Sequence, residues 1–352
     1  MNDFFKQDQV KTVLAIETSC DDTSVAVVDS HGQVFALCSA TRDLDHEVHG
    51  GIVPEIASRN HTQYLLPLIE ETLKKSGRDW SAIDGLAVTN RPGLIGALVV
   101  GISTAKSLAL ALNKPLVGVN HLEGHLLAPF LETFPASTQL NFPYLALAVS
   151  GGHTTLYQVH DFGKYHILGT TRDDAAGEAF DKFAKLVGLG FPGGVRVDQQ
   201  AQSGNSKAFQ FPRSMITDDN LEMSFSGLKS AAHRLILGMS TEQVQQNLSD
   251  LCASFQQAVV DVLLAKLQVA QKRMRSKQVV VTGGVSANSG LRNQAMQWAA
   301  EKKIDLFIPP LKYCTDNAAM IGLAGAWHLM KGHTATMDLG PSPQSFDADF
   351  IR

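Results

Sequence analysis

The sequence predicts an α/β protein with two lobes on a duplicated plan, and three observations carry that expectation. At 352 residues the chain exceeds what one hydrophobic core comfortably serves, so two lobes are expected. The stretches "TVLAIETSCDDTSVAVVD" and "FPYLALAVSGGHTTLYQV" share one design: an apolar, β-branched run, a short polar turn and a second such run. Each reads as a β-hairpin, and the repeat lies roughly 130 residues downstream, far too long a period for a solenoid. Strand-like and helix-like segments alternate around both hairpins, as they do when helices are layered on sheets.

In chain order, the first hairpin turns at "CDDTS". Helical spacing then runs through "EIASRNHTQYLLPLIEETLKKSG" and "LIGALVVGISTAKSLALAL", while "GLAVT" and "PLVGV" read as buried strands. The second of these helices is long enough to raise the question of a membrane span, but Lys106 and its hydroxyl neighbours interrupt it, so a buried helix is expected. The second hairpin turns at "SGGHT". After it come helical "DDAAGEAFDKFAKLVGL", the loop "FPGG", a long helix from about Asp250 to Met274, and a strand entering glycines in "QVVVTGGVSANSGLRNQ". A last strand ends at "IPPLKYCTDNAAMIGLAGAWHLM", and "SGNSKAFQFPR" and "STEQVQQN" read as connecting loops. The expected lobes are residues 11–136, completed by a C-terminal helix at about 322–345, and residues 140–321, with the site in the cleft between them.

Composition narrows the function classes. Hydrophobic content of 44% and charged content of 18% describe an ordinary globular chain, and a net charge of −4 gives no overall attraction to nucleic acid. RNA binding would need a local patch or a partner. The basic run "KLQVAQKRMRSK" reads as a solvated helix end. Cys20, Cys38, Cys252 and Cys314 form no C-x-x-C pair, which argues against a zinc ribbon or disulfide framework and fits a reducing compartment. "MNDFFKQDQVK" carries neither an apolar h-region nor a cleavage site, so a cytoplasmic protein without membrane attachment is expected.

The residues able to do chemistry fall in short strings. "NHLEGH" puts His121 and His125 one helical turn apart on one face, able to share a metal ion. Glu123 is turned about 200° from His121, whereas the peptidase pattern H-E-x-x-H needs its glutamate directly after the first histidine. Without a third ligand the two histidines read as ordinary polar residues of a half-buried helix. Asp316 in "CTDNAAMI" is the best-placed third ligand, although Thr315 or Asp316 could simply cap the helix that follows. Two histidines and one carboxylate with open positions suit iron(II) or zinc. The turn Ser150, Gly151, Gly152, His153, Thr154 can expose backbone N–H groups to phosphate, or be a plain hairpin turn. "GGVSAN" opens a helix whose N-terminus favours an anion, with Asn288 able to read a ribose or base; a strand-to-helix turn explains the glycines as well. In "AGEAFDK", Asp181 could bind a ribose, and Glu178 with Lys182 reads as a surface pair. Asp21 and Asp22 suit an Asx turn, or one of them a general base.

Two phosphate-type hairpins, a late glycine turn and an aspartate before the last helices resemble the fold shared by actin, sugar kinases and heat-shock chaperone ATPases (ASKHA). The strings "IETSCDDTSVAV", "GGIVPEIASR", "PGLIGALVVG", "NHLEGHLLAP", "VSGGHT", "DDAAGEAFDK", "PGG", "SFSGLK", "GGVSAN" and "CTDNAAMI" go further. From about Val13 to about His328 the chain resembles the TsaD/Gcp/Kae family of tRNA threonylcarbamoyltransferases. The resemblance implies transfer of a threonylcarbamoyl group from threonylcarbamoyl-AMP to adenosine 37 of tRNAs reading codons that begin with A, releasing AMP. It implies that His121, His125 and Asp316 bind one divalent metal, iron(II) or else zinc, in contact with the donor. It implies that Ala148, Val149, Ser150, Gly151, Gly152, Asp181, Gly194 and Asn288 hold the adenylate and that Asp21 serves the transfer. By the same resemblance the partners are tRNA, a TsaB-like paralogue and a TsaE-like ATPase. The chain departs from the family where Arg91 replaces a glycine in "NRPGL", in "DSHGQV" and "HEVHGG", and in roughly ten additional residues before the first strand. A metallopeptidase, a non-catalytic scaffold of the TsaB kind and an ATP-hydrolysing member of the fold are the competing readings. A scaffold would be expected to lack the histidine pair and "GGVSAN".

Overall fold

The computed structural model describes residues 9–41, 51–132, 140–344 and 350–351. Residues 1–8 and positions 46–50 of "HEVHGG" lie outside them. Two compact units are present: one contains the chain up to His46, Ile52–Phe142 and Pro309–Phe350, the other Pro143–Ile308.

The sheet of the first unit contains β1 (Thr12–Glu17), β2 (Thr23–Asp29), β3 (Val34–Ala40), β4 (Gly85–Arg91) and β5 (Leu116–Asn120), in the order β3-β2-β1-β4-β5. β1, β2 and β3 pair antiparallel, and β4 and β5 add in parallel. Parallel neighbours need a crossover, which α1 (Pro54–Ser76) and α2 (Ile95–Leu112) supply. β1 is buried at all six positions because each of its faces meets a helix. Leu14 and Ile16 pack with Leu65, Leu68, Leu98 and Ile102 of α1 and α2. Ala15, on the opposite face by the two-residue period of a strand, lies against α10 (Ala318–Met330). That helix comes very close to the sheet: a Cβ on Gly325 would sit 2.3 Å from the Ala87 Cβ, so only glycine fits there.

The second unit repeats the plan. β6 (Tyr144–Val149), β7 (Thr154–Asp161), β8 (Lys164–Thr170), β9 (Gln278–Thr282) and β10 (Asp305–Phe307) lie in the order β10-β9-β6-β7-β8, with the same antiparallel and parallel pairings. Its helices are α4 (Ala176–Leu186), α5 (Gly193–Ala201), α6 (Ser226–Leu237), α7 (Thr241–Gln246), α8 (Leu248–Met274) and α9 (Ser289–Lys302). Phe183 stacks on Phe255 with ring centroids 4.0 Å apart, and Phe180 and Phe211 meet Phe255 edge-on, which fixes α4 on α8. α3 (His121–Leu127) belongs to the first unit.

Several expectations are corrected. "STEQVQQN" contains the helix α7, introduced by a capping box in which Ser240 and Gln243 exchange side-chain and backbone hydrogen bonds; the S-x-x-Q spacing was its signal. The chain returns to the first unit at Pro309 rather than after residue 321, and the last helix is Ala318–Met330 rather than 322–345. α10 must start early enough to lay Gly322 and Gly325 on the first sheet, and Gly332 at φ +75° turns the chain away after it. α2 buries only one face, formed by Ala97, Leu98, Gly101, Ile102, Ala105 and Ala109, while Ile95, Val99 and Leu110 are exposed. α2 and α8 are both long and apolar enough to cross a membrane, with 33% and 67% of their apolar windows buried. The strands β3 and β8 extend each hairpin to a three-stranded meander. Their alternation of buried and partly exposed positions is the period-2 signal of a strand with one face covered.

Candidate metal centre and nucleotide turns

The first unit gathers the proposed metal ligands. Asn120 caps α3 by accepting from the Leu122 N–H at 2.9 Å, so His121 starts the helix and His125 follows one turn later. Their rings lie edge to face with centroids 4.8 Å apart. Asp316 Oδ1 is 3.3 Å from His121 Nε2 and 3.2 Å from His125 Nε2. Asn317, not Thr315 or Asp316, caps α10, accepting from the Met320 N–H at 3.0 Å. Asp316 is thereby left to face the histidines. The two elements are held together at Gly124, where a Cβ would meet Ile321 and Met320 at 3.0 Å.

Charge in this cluster favours a cation. Burial pushes the Asp316 carboxyl up, but His121 and His125 outweigh it and hold it well below the usual carboxylate range. Burial pushes His121 down, and the carboxylates of Asp316 and Glu17 overcome that and raise it well above its ordinary value. His125 is lowered, burial being the largest cause. The cluster brings two imidazole nitrogens and a carboxylate oxygen within 4.8 Å of one another. That donor set fits a divalent ion of the iron or zinc type. The histidine side chains keep 6% and 1% exposure and Asp316 29%, so the open side of the cluster is at the aspartate.

Three residues around the cluster were missed from the sequence. Glu17 accepts from His121 Nδ1 at 3.0 Å and from the Thr89 hydroxyl at 2.6 Å, and Ser19 Oγ lies 3.2 Å from the same His121 nitrogen. An acid closing the apolar run "TVLAIE" was the available signal, because a carboxylate there must be buried with partners. Asp21 and Asp22 stand half-buried in the β1–β2 turn. His61 braces this turn through Thr23 Oγ1 at 2.7 Å and the Cys20 carbonyl at 3.0 Å. Burial, with the nearby carboxylates of Asp21 and Asp316, pushes the Cys20 thiol up. Glu123, on the other face of α3, is 2% exposed and 2.8 Å from His328 Nε2. Arg91 ends β4 in extended backbone, which needs no glycine. It lines a cavity of about 260 Å³ together with Asn120, Glu123, His328 and His333.

In the second unit β6 and β9 are parallel neighbours, so "SGG" and "GGVSAN" leave the same end of the sheet, where ligands of open α/β sheets bind. The turns are in contact: a Cβ on Gly283, at φ +87°, would strike the Val149 carbonyl oxygen at 2.4 Å. Gly177, in the first turn of α4, donates its N–H to the Ser150 carbonyl at 3.2 Å. Gly151, Gly152 and Gly194 have open space where a Cβ would point. Asp181 accepts from the Gly193 N–H at 2.8 Å and so ties "FPGG" to α4, while Glu178 and Lys182 form the surface pair at 2.6 Å. Asn288 caps α9 through Leu291 N–H at 3.0 Å and donates to Gln256 Oε1 at 2.7 Å, so its amide is oriented from two sides.

Duplicated sheets of this connectivity, with paired glycine turns in one unit, give the chain the fold shared by actin, sugar kinases and heat-shock chaperone ATPases. Solved structures agree at the level of fold. Full-length HypF in its phosphate- and nucleotide-bound form matches with a TM-score of 0.60 at 12% identity, over 92% of this chain and 56% of that one. Component A of the (R)-2-hydroxyglutaryl-CoA dehydratase of Acidaminococcus fermentans matches with a TM-score of 0.53 at 14% identity, over 92% and 99%. Sequence comparison is more specific: the family model for TsaD, tRNA N6-adenosine threonylcarbamoyltransferase, matches residues 33–323. The tRNA N6-adenosine threonylcarbamoyltransferase of Bdellovibrio bacteriovorus is 62% identical over 97% of this chain and 99% of its own length. That of Clostridium perfringens is 45% identical over 95% and 97%. The chain belongs to the TsaD family of tRNA N6-adenosine threonylcarbamoyltransferases.

Proposed function

We propose that the chain moves the threonylcarbamoyl group from threonylcarbamoyl-AMP to the N6 amine of adenosine 37 in tRNAs reading codons that begin with A. The amine nitrogen bonds to the carbamoyl carbon, the bond from that carbon to the phosphate oxygen breaks, and AMP leaves with the electron pair. The observation that carries this reading is the convergence of His121, His125 and Asp316 in a chain of this family. The turns from Ala148 to Gly152, with Asp181, Gly194 and Asn288, hold the adenylate, and their backbone N–H groups face developing phosphate charge. Asp21 accepts the amine proton as the new bond forms. His121, His125 and Asp316 would hold iron(II), or zinc in its place, and the ion would supply positive charge to the donor. An adenine amine is a weak nucleophile, so holding it against the carbonyl supplies much of the rate.

A peptidase would need Glu123 as base. Its carboxylate instead meets His328 on the far face of α3. Glu123→Gln is expected to keep its metal and most of its transfer activity while losing about 1–2 kcal/mol of stability, because a charge-assisted hydrogen bond becomes a neutral one. Denaturant unfolding alongside metal analysis checks this; peptide hydrolysis lost only in that variant would restore the peptidase.

Asn288→Ala and Asp181→Ala are each expected to weaken binding of AMP or a stable adenylate analogue by about 0.5–3 kcal/mol, with metal content unchanged. Calorimetry measures it, and unchanged affinity in both variants would put the nucleotide elsewhere. The partners are a TsaB-like paralogue and a TsaE-like ATPase, and the setting is the cytoplasm. Support for a protein partner comes from Leu66 on α1 and Ile95, Val99 and Leu110 on α2, which are 43–74% exposed. The decisive experiment supplies threonylcarbamoyl-AMP, unmodified tRNA and the partners, then digests the tRNA. Absence of threonylcarbamoyladenosine, with ATP hydrolysed independently of tRNA, would favour the ATPase reading.

A further inference from the structure

Glu17 closes β1, a strand buried at every position, and keeps 1% exposure. A carboxylate in such a place costs several kcal/mol unless its oxygens are satisfied. Oε1 accepts from the Ser19 backbone N–H at 2.5 Å, and Oε2 accepts from the Thr89 hydroxyl at 2.6 Å and from His121 Nδ1 at 3.0 Å. Three donors from three elements, the turn after β1, β4 and α3, converge on one side chain.

We propose that Glu17 is a positioning residue of the metal centre, fixing the His121 proton on Nδ1 so that Nε2 is the atom presented to the ion beside His125 and Asp316. This rests on the reading that those three residues hold a divalent ion. A neutral imidazole carries one proton, and only the nitrogen without it can bind a metal. A carboxylate can only accept, so the nitrogen facing Glu17 must be the protonated one. Nε2, 3.3 Å from Asp316, is then the metal-binding atom. A buried acid behind a ligating histidine also holds the ring's direction and raises its basicity.

The geometry states what a neutral isostere does. In Glu17→Gln the amide NH2 cannot replace Oε1, because it would face the Ser19 backbone N–H, which only donates. It must therefore replace Oε2, where it donates to His121 Nδ1. Thr89 can turn its hydroxyl to accept, and Ser19 Oγ, 3.2 Å from His121 Nδ1, can turn to donate, so the imidazole moves its proton to Nε2. The substitution thus reverses the tautomer without changing the shape.

The test measures zinc affinity by chelator competition for the full chain, with Glu17→Gln, Thr89→Val and His125→Ala, and follows unfolding of each. Glu17→Gln is expected to bind zinc about 10–100-fold more weakly while still unfolding cooperatively, and Thr89→Val to bind within a few-fold of the parent. Nitrogen NMR of the zinc-loaded parent, which requires no variant, is expected to find His121 protonated at Nδ1 and metal-bound at Nε2. Parent-like affinity in Glu17→Gln, or zinc on His121 Nδ1, overturns the proposal. Zinc binding that survives His125→Ala refutes the metal site itself, and the role of Glu17 with it.

Discussion

His125→Ala is expected to abolish stable metal binding and to lower threonylcarbamoyl transfer by about 10²–10⁴-fold, the range that corresponds to several kcal/mol of lost charge stabilisation. His125 Nε2 lies 3.2 Å from Asp316 Oδ1 and the side chain is 1% exposed. Its removal leaves two ligands, and two hold a divalent ion poorly. Removing a buried ring also costs packing, so Asp316→Ala is the companion variant. Its side chain is 29% exposed, and α10 keeps its cap at Asn317. Both variants should lose metal and transfer together while Asp316→Ala unfolds near the parent's midpoint. Metal analysis and nucleoside yield, with the same partners, measure the pair. A metal-free His125→Ala protein with full activity would remove the ion from the mechanism.

Asp21→Asn is expected to lower the rate of transfer by about 10²–10⁴-fold, the usual contribution of a positioned general base, with metal content and AMP affinity unchanged. Asn keeps the size and turn preference of Asp but cannot accept a proton at neutral pH. The turn should hold its shape, since His61 braces it through Thr23 and the Cys20 carbonyl. Single-turnover nucleoside formation with saturating donor isolates the step. A loss confined to donor affinity would make Asp21 a binding residue instead.

Much of the site could be read from the chain because its parts are local. The i,i+4 spacing of His121 and His125 fixes a shared face wherever the helix lies, and the glycine turns of "SGGHT" and "GGVSAN" are written into a few consecutive residues. Arg91 in place of the family glycine also has a local answer: it occupies extended backbone at the end of β4. Helix capping was less legible, because Thr315, Asp316 and Asn317 are all competent caps. The choice of Asn317 depends on where α10 meets the sheet.

By itself, the sequence determined many of the element types, the duplicated hairpins and the family. Periodicity, turn chemistry and ordered motifs are properties of neighbouring residues, and they survive whatever packs around them. Only the tertiary structure decided that Asp316 returns to the unit of the histidines, that Glu123 is occupied by His328 rather than a substrate, and that Glu17 stands behind His121. Those facts join residues 104 to 205 positions apart. The first two follow from close packing of α10 on the first sheet at Gly322 and Gly325, where the absence of side chains lets two distant segments approach and sets which polar atoms meet.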